Sequence, residues 1–172
     1  NAQATIRLLE SLKDQSDQEY AVVAIDNASE QSDRMRLEQY IRERYSRVQL
    51  IKNPVNIGFS GGNNRGIKQA LAEGADWVLL LNNDTWVEDD FIVRIKSFFT
   101  QSSGILGIPL EEYGHISYCG KISWLQSELA HIHESVVAQD VLRRGRGYII
   151  GGGMIIRRDV FEKIGFLDER YF

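Results

Sequence analysis

Apolar residues recur first at helical spacing, then in short unbroken runs, and the two patterns alternate along the first part of the chain. Ile6, Leu8, Leu9 and Leu12 share one face of an amphipathic helix predicted over residues 2–13. Residues 20–25 are a short apolar run closed by Asp26-Asn27-Ala28-Ser29, the pattern of a buried strand and its turn. Leu37, Tyr40, Ile41 and Arg44 mark a second helix, with Ser32 or Asp33 as its expected cap. Residues 48–51 read as another strand, ended by Asn53-Pro54. Ile67, Ala70 and Leu71 give a third helix its apolar face, with Asn63 or Asn64 capping its start and Gly74 its end. Residues 77–81 lack polar alternation and predict a strand buried on both faces. Phe91, Ile92, Ile95, Phe98 and Phe99 form a further helical stripe behind Glu88, Asp89 and Asp90, whose charges suit a helix N-terminus. Residues 104–108 close the regular part as a strand.

This alternation predicts right-handed crossovers and an α/β fold with a mainly parallel sheet flanked by helices. No repeat or low-complexity linker interrupts it, and 172 residues suffice for one domain with a proper core. From residue 111 to 147 the periodicity blurs among glycines, His131, His133 and the run Arg143-Arg144-Gly145-Arg146. Residues 148–156 resume as an apolar strand interrupted by Gly151-Gly152-Gly153, and residues 158–164 read as a short helix.

Composition narrows the function classes. A content of 43% hydrophobic and 26% charged residues is that of a soluble globular protein. The net charge of -4 gives nucleic-acid binding no support. The one cysteine, Cys119, rules out an internal disulfide and suits a reducing compartment; without a local Cys/His arrangement it reads as a buried, inert thiol. No run approaches the roughly 18 apolar residues of a membrane span, and no signal peptide is visible. The chain starts at Asn1 without methionine and stops at Phe172 directly after an aromatic and acidic cluster, so it reads as a piece of a longer protein, cut at both ends.

The chemistry concentrates where predicted strands end. Asn82-Asn83-Asp84 follows the most apolar strand, and Asp84 is the best candidate ligand for Mg2+ or Mn2+, because hard cations prefer carboxylate oxygen and share diphosphate oxygens. The same three residues also suit a plain turn. Asp26 ends an earlier strand on the same sheet edge; it can accept hydrogen bonds from a ribose or a base edge, or form an Asx-turn with its neighbours. Gly58-Phe59-Ser60-Gly61-Gly62-Asn63-Asn64 allows close backbone approach ahead of an anion-favouring helix N-terminus, yet it is neither a P-loop nor a dinucleotide fingerprint and also suits loop punctuation. Gly151-Gly152-Gly153 lets a substrate lie against the backbone or marks a bulge, and Asp168-Glu169 is a candidate base, acceptor contact or acidic turn. His131 and His133 lack the helical zinc spacing, and Arg143, Arg144 and Arg146 suit a solvated loop better than a phosphate or membrane contact.

In order, Asp26-Asn27-Ala28-Ser29, Asn53-Pro54-Val55-Asn56-Ile57-Gly58-Phe59-Ser60-Gly61-Gly62-Asn63, Leu81-Asn82-Asn83-Asp84, Gly153-Met154-Ile155-Ile156-Arg157-Arg158 and Gly165-Phe166-Leu167-Asp168-Glu169-Arg170-Tyr171-Phe172 resemble glycosyltransferase family 2, most of all its rhamnosyltransferase-like branch. The likeness covers nearly the whole chain and is weakest over residues 111–147. It implies a GT-A fold, Rossmann-like, with residues 1–108 as the nucleotide-sugar half and residues 109–172 as the acceptor-side half of one catalytic domain. The donor is then a nucleotide-diphosphate sugar, TDP-rhamnose on branch likeness, held by Asn1, Asp26, Asn56, Gly58, Asn63, Asn82, Asn83 and Asp84. Asn82-Asn83-Asp84 stands where the family has an Asp-any-Asp metal motif, so Asp84 alone carries the metal charge. Gly152, Gly153, Asp168 and Glu169 fall on the side of a saccharide acceptor, either a glycan or lipid-linked.

The resemblance also implies inversion at the anomeric carbon in one displacement, a carboxylate taking the acceptor proton. In the family that base usually lies in a Glu-Asp pair beyond the segment ending here at Phe172, so this piece is expected to bind nucleotide weakly at best and to transfer no sugar. A strand ending in Tyr-Asn usually precedes the first helix, with Asn1 matching its last residue. The branch works in polysaccharide and cell-wall synthesis, which implies a cytoplasmic location and admits peripheral contact with the inner face of the membrane. Two other classes stay open: a sugar nucleotidyltransferase, whose basic glycine-rich triphosphate loop is missing here, and a nucleotide- or carbohydrate-binding module without catalysis.

Overall fold

The computed structural model describes residues 1–99, 104–123 and 128–170, which leaves Tyr171 and Phe172 of the last motif outside the described residues. The elements run α1 (Ala2–Lys13), β1 (Val22–Asp26), α2 (Gln31–Arg44), β2 (Val48–Lys52), α3 (Gly58–Ala72), β3 (Trp77–Leu81), α4 (Phe91–Lys96), β4 (Ile105–Gly107), β5 (Leu110–Glu112), β6 (His115–Ser117), β7 (Cys119–Ser123), β8 (Glu128–Ile132), α5 (Ser135–Arg143), β9 (Gly147–Tyr148), β10 (Gly153–Arg157) and α6 (Arg158–Ile164).

Periodicity placed the first elements well and their caps less well. α1 begins at Asn1, whose Oδ1 accepts from the backbone N–H groups of Gln3 and Ala4 at 3.1 and 3.4 Å. α2 starts at Glu30 without a side-chain cap, so Ser32 and Asp33 lie inside its first turn. α3 begins at Gly58, not after Asn63 or Asn64, and takes the glycine-rich segment into the helix itself. Gly74, at φ 92°, is the expected stop after that helix. The predicted stripe through Phe99 is helical only to Lys96; Phe98 is exposed, and Phe99 stacks on Trp77 with ring centroids 4.4 Å apart.

The class is α/β, but the strand pairing is mixed where a mainly parallel sheet was expected. β1 and β2 pair in parallel, Val22 opposite Val48 through Asp26 opposite Lys52. β10 runs antiparallel between β3 and β4, with Gly153 opposite Leu81 and Met154 opposite Gly107. Parallel neighbours need a crossover, usually a helix. The chain between β4 and β10 instead passes through the β5–β6 hairpin and the β8-β7-β9 sheet, and returns β10 in the opposite sense. These short antiparallel strands, with α5 packed on them, are the region where periodicity blurred.

Two buried clusters hold the elements. Ile6, Leu8, Leu9 and Leu12 of α1 pack with Leu37 and Ile41 of α2, and Ile67 of α3 packs with Val78 and Leu80 of β3, Ile156 and Phe161. β3 alternates instead of being buried on both faces: Val78 and Leu80 are buried, while Trp77, Leu79 and Leu81 are half-buried. β1 and β3 belong to separate sheets among the described residues, and a cavity of about 940 Å3 is lined along both strands. Among the described residues, no helix is long and apolar enough to cross a membrane.

Candidate functional site

The carboxyl ends of β1 and β3 open into that same cavity. Asp26, the last residue of β1, is only 3% exposed. Its Oδ1 accepts from the backbone N–H of Ser29 at 3.0 Å, so the Asx-turn is formed, and its Oδ2 accepts from Arg34 Nε at 2.6 Å. Burial opposes the charge, but the bonds from Ser29 and Arg34 outweigh it and hold the carboxyl below the usual carboxylate range. Asp26 therefore stays ionised at neutral pH.

Asn27 fastens the start of α3 to this edge. Its Nδ2 donates to Asn56 Oδ1 at 2.8 Å and to the Gly58 carbonyl at 3.1 Å. Its Oδ1 accepts from Asn53 Nδ2 at 2.9 Å and from the Ile57 N–H at 3.1 Å. Arg65 Nη1 donates to Asn53 Oδ1, completing a web of amides around the turn. The glycines serve this packing. Gly58 takes φ 75°, and a Cβ on Gly61 would stand 3.1 Å from Ile57, so the sequence reading of an open glycine loop ahead of the helix gives way to a tightly seated first turn. The N-cap residue Ile57 supplies no side-chain cap, and Asn56 Oδ1 accepts from the Gly58 N–H at 3.0 Å.

At the end of β3 the two predicted halves meet. The Asn82 N–H donates to the Gly152 carbonyl at 3.1 Å, and a Cβ on Gly152 would stand 3.5 Å from Asn82 Nδ2. Gly152 and Gly153 join β9 to β10 as a turn and the first residue of a strand, replacing the single interrupted strand that was expected. Asn83 Nδ2 donates to Thr5 Oγ1 at 3.1 Å, which ties this edge to α1. The Asp84 side chain is exposed and engages no partner among the described residues. Among the described residues, no three His, Cys, Asp or Glu side chains converge as a metal site.

Of the eight residues expected on the donor side, six line the cavity: Asn1, Asp26, Gly58, Asn63, Asn82 and Asn83. Asn56 and Asp84 lie off it, as do Gly152, Gly153, Asp168 and Glu169. Asp168 is held by Arg170, whose Nη2 donates at 2.6 Å, and this contact keeps its carboxyl below the usual range. Glu169 accepts from Asn64 Nδ2 at 2.8 Å. Arg34, Asn27 and Thr5 were not singled out from sequence, although an Arg in the first turn after a strand-ending Asp is a readable signal for Arg34. Asn64 was read only as a cap.

The remaining candidates are structural. Ser117 Oγ lies 3.4 Å from His131 Nδ1, and His133 Nδ1 lies 2.8 Å from the Ile116 carbonyl. Cys119 is fully buried, and burial pushes its thiol pKa up, away from nucleophilic reactivity. Arg143, Arg144 and Arg146 are exposed, with Arg144 paired to Asp140 at 2.8 Å.

Comparison with known proteins agrees with this fold. The chain is 23% identical over 131 residues to a dTDP-rhamnosyl transferase, RfbF, of Shigella flexneri, covering 73% of this chain and 42% of that protein. It superposes on the mannosyltransferase PcManGT from Pyrobaculum calidifontis, solved with GDP-Man and Mn2+, at a TM-score of 0.68 and 14% identity, covering 98% of this chain and 45% of that one. S. aureus TarS 1-349 in complex with UDP gives a TM-score of 0.67 at 17% identity, covering 99% of this chain and 48% of that TarS fragment. These neighbours have the GT-A fold, and this chain spans less than half the length of each relative. The family model for glycosyl transferase family 2 matches residues 1–165, and the chain belongs to that family.

Proposed function

We propose that this chain forms the donor-binding part of an inverting glycosyltransferase that moves a sugar from a nucleotide-diphosphate sugar to a glycan or lipid-linked saccharide. The observation that carries the reading is the cavity between β1 and β3, with Asp26, Gly58, Asn63, Asn82 and Asn83 at its polar rim. TDP-rhamnose is the first candidate donor, supported by the rhamnosyl transferase relative.

Asp26 binds the nucleoside through its ionised carboxylate, oriented by Arg34 and Ser29. The first turn of α3, whose N-cap residue Ile57 supplies no side-chain cap, offers the backbone N–H groups that follow Gly58 and a positive helix end to the diphosphate. The donor set fits Mg2+ or Mn2+ only if diphosphate oxygens complete the shell, because Asp84 is the sole carboxylate of Asn82-Asn83-Asp84. Bound there, such a cation offsets charge on the departing diphosphate. Asn82, bonded to Gly152, links this donor edge to the acceptor side. Asp168 and Glu169 are engaged by Arg170 and Asn64, so neither is assigned as the base. A lipid-linked acceptor places the reaction at the cytoplasmic face of a membrane, through peripheral contact.

A thermal-shift screen against UDP-, GDP- and TDP-sugars, with and without Mn2+, tests the reading, since a selective ligand raises stability by mass action. A shift with one nucleotide class that grows with Mn2+ is expected. Flat responses to all three at millimolar concentration would overturn it.

A further inference from the structure

Asn63 and Asn64 are neighbours on α3, yet they serve different ends of the molecule. Asn63 lines the donor cavity, whereas Asn64 is 1% exposed and turned toward residues 167–169. Its Nδ2 donates to the Leu167 carbonyl and to Glu169 Oε1, both at 2.8 Å, and its Oδ1 accepts from the Leu167 N–H at 3.0 Å. One buried side chain thus grips both backbone groups of Leu167 and the carboxylate two residues on. Leu167 also packs against the cluster around Ile67, one turn further along the same helix. The segment reaches this point from α6 through Gly165 at φ 84°, with no strand or helix of its own to fix it.

We infer that Asn64 is a positioning residue: it docks the segment 167–169 on the helix whose start forms the donor site, and commits Glu169 to that docking and not to the acceptor. The inference rests on the reading of this segment as acceptor-side. Among natural side chains of this size, only an amide meets all three contacts, because two require a donor and one an acceptor. Asn64→Asp therefore loses both donated bonds and sets a second carboxylate beside Glu169. Pairing it with Glu169→Gln restores one bond with the polarity reversed, the Gln amide donating to the Asp carboxylate.

Hydrogen exchange on the 172-residue chain reads this directly, with UDP and TDP titrations in Mn2+ run on the same samples. In Asn64→Asp, exchange at residues 165–170 is expected to rise by about tenfold or more, the effect of one lost charge-assisted bond, while α3 keeps its protection. The double variant should recover at least about half of that change on a logarithmic scale, as expected for directly coupled residues. Nucleotide affinity should stay within about threefold throughout, since no donor contact is altered. Unchanged exchange in Asn64→Asp, no recovery in the double variant, or loss of protection along α3 itself would each overturn the inference. If the unaltered chain binds neither nucleotide, the functional reading fails, and the exchange result still decides the role of Asn64.

Discussion

Asn27 has four hydrogen-bonding positions on its amide, and the fold fills all of them. Removing the side chain takes this partner from the Gly58 carbonyl, Asn53 Nδ2 and the Ile57 N–H in a part-buried turn, and leaves Asn56 Oδ1 with the Gly58 N–H alone. Asn27→Ala is therefore expected to cost about 1–3 kcal/mol in urea melts and to weaken nucleotide binding, because the same bonds seat Gly58. A stability change within error would show that water replaces the amide. Asp26 makes a pH prediction. Its folded carboxyl is held below the ordinary range, so protons bind the unfolded chain first as pH falls. The stability due to Ser29 and Arg34 is present above the unfolded value of about 3.9 and drains away as pH drops through the depressed folded one. Denaturation midpoints should consequently fall more steeply below about pH 4 in the wild type than in Asp26→Asn, which starts less stable at neutral pH. Parallel slopes would refute the assignment.

At the scale of elements, β1 pairs with β2 and β3 with β10 among the described residues, and both strands line the cavity. Which elements were legible follows from the range of the interactions that make them. α1, β2 and β3 carry their periodicity within a dozen residues, so composition and spacing placed them. The start of α3 was misplaced because glycines normally punctuate, and the bonds that seat Ile57 and Gly58 come from Asn27, far upstream. The sense of β10 depends on the route of the chain between β4 and β10, where β5, β6 and β9 have only two or three residues and show no alternation. Asp26 and Asn82 were legible as strand-end residues. The Asn64 clamp, spanning 103 residues, was not.

For the whole molecule, the donor reading separates into two additive parts that one variant can tell apart. The nucleoside end depends on Asp26 and the seat of α3; the metal end depends on Asp84, whose exposed side chain contributes nothing to the core. A ligand at 100 times its dissociation constant stabilises the folded state by about 2.7 kcal/mol. In a chain of this size that corresponds to about 5–11 °C of melting temperature. Asp84→Asn should leave the ligand-free melting temperature within about 1 °C, because a surface substitution away from caps and cores changes stability little. It should also keep the part of the nucleotide-sugar shift seen without metal. The increment added by Mn2+ should vanish, since Asn82 and Asn83 carry no charge with which to hold the ion. If that increment persists in Asp84→Asn, the cation is held elsewhere and Asn82-Asn83-Asp84 is a turn. If the metal-free shift disappears as well, donor and metal bind as one unit, and the diphosphate must then be placed against Asp84 itself.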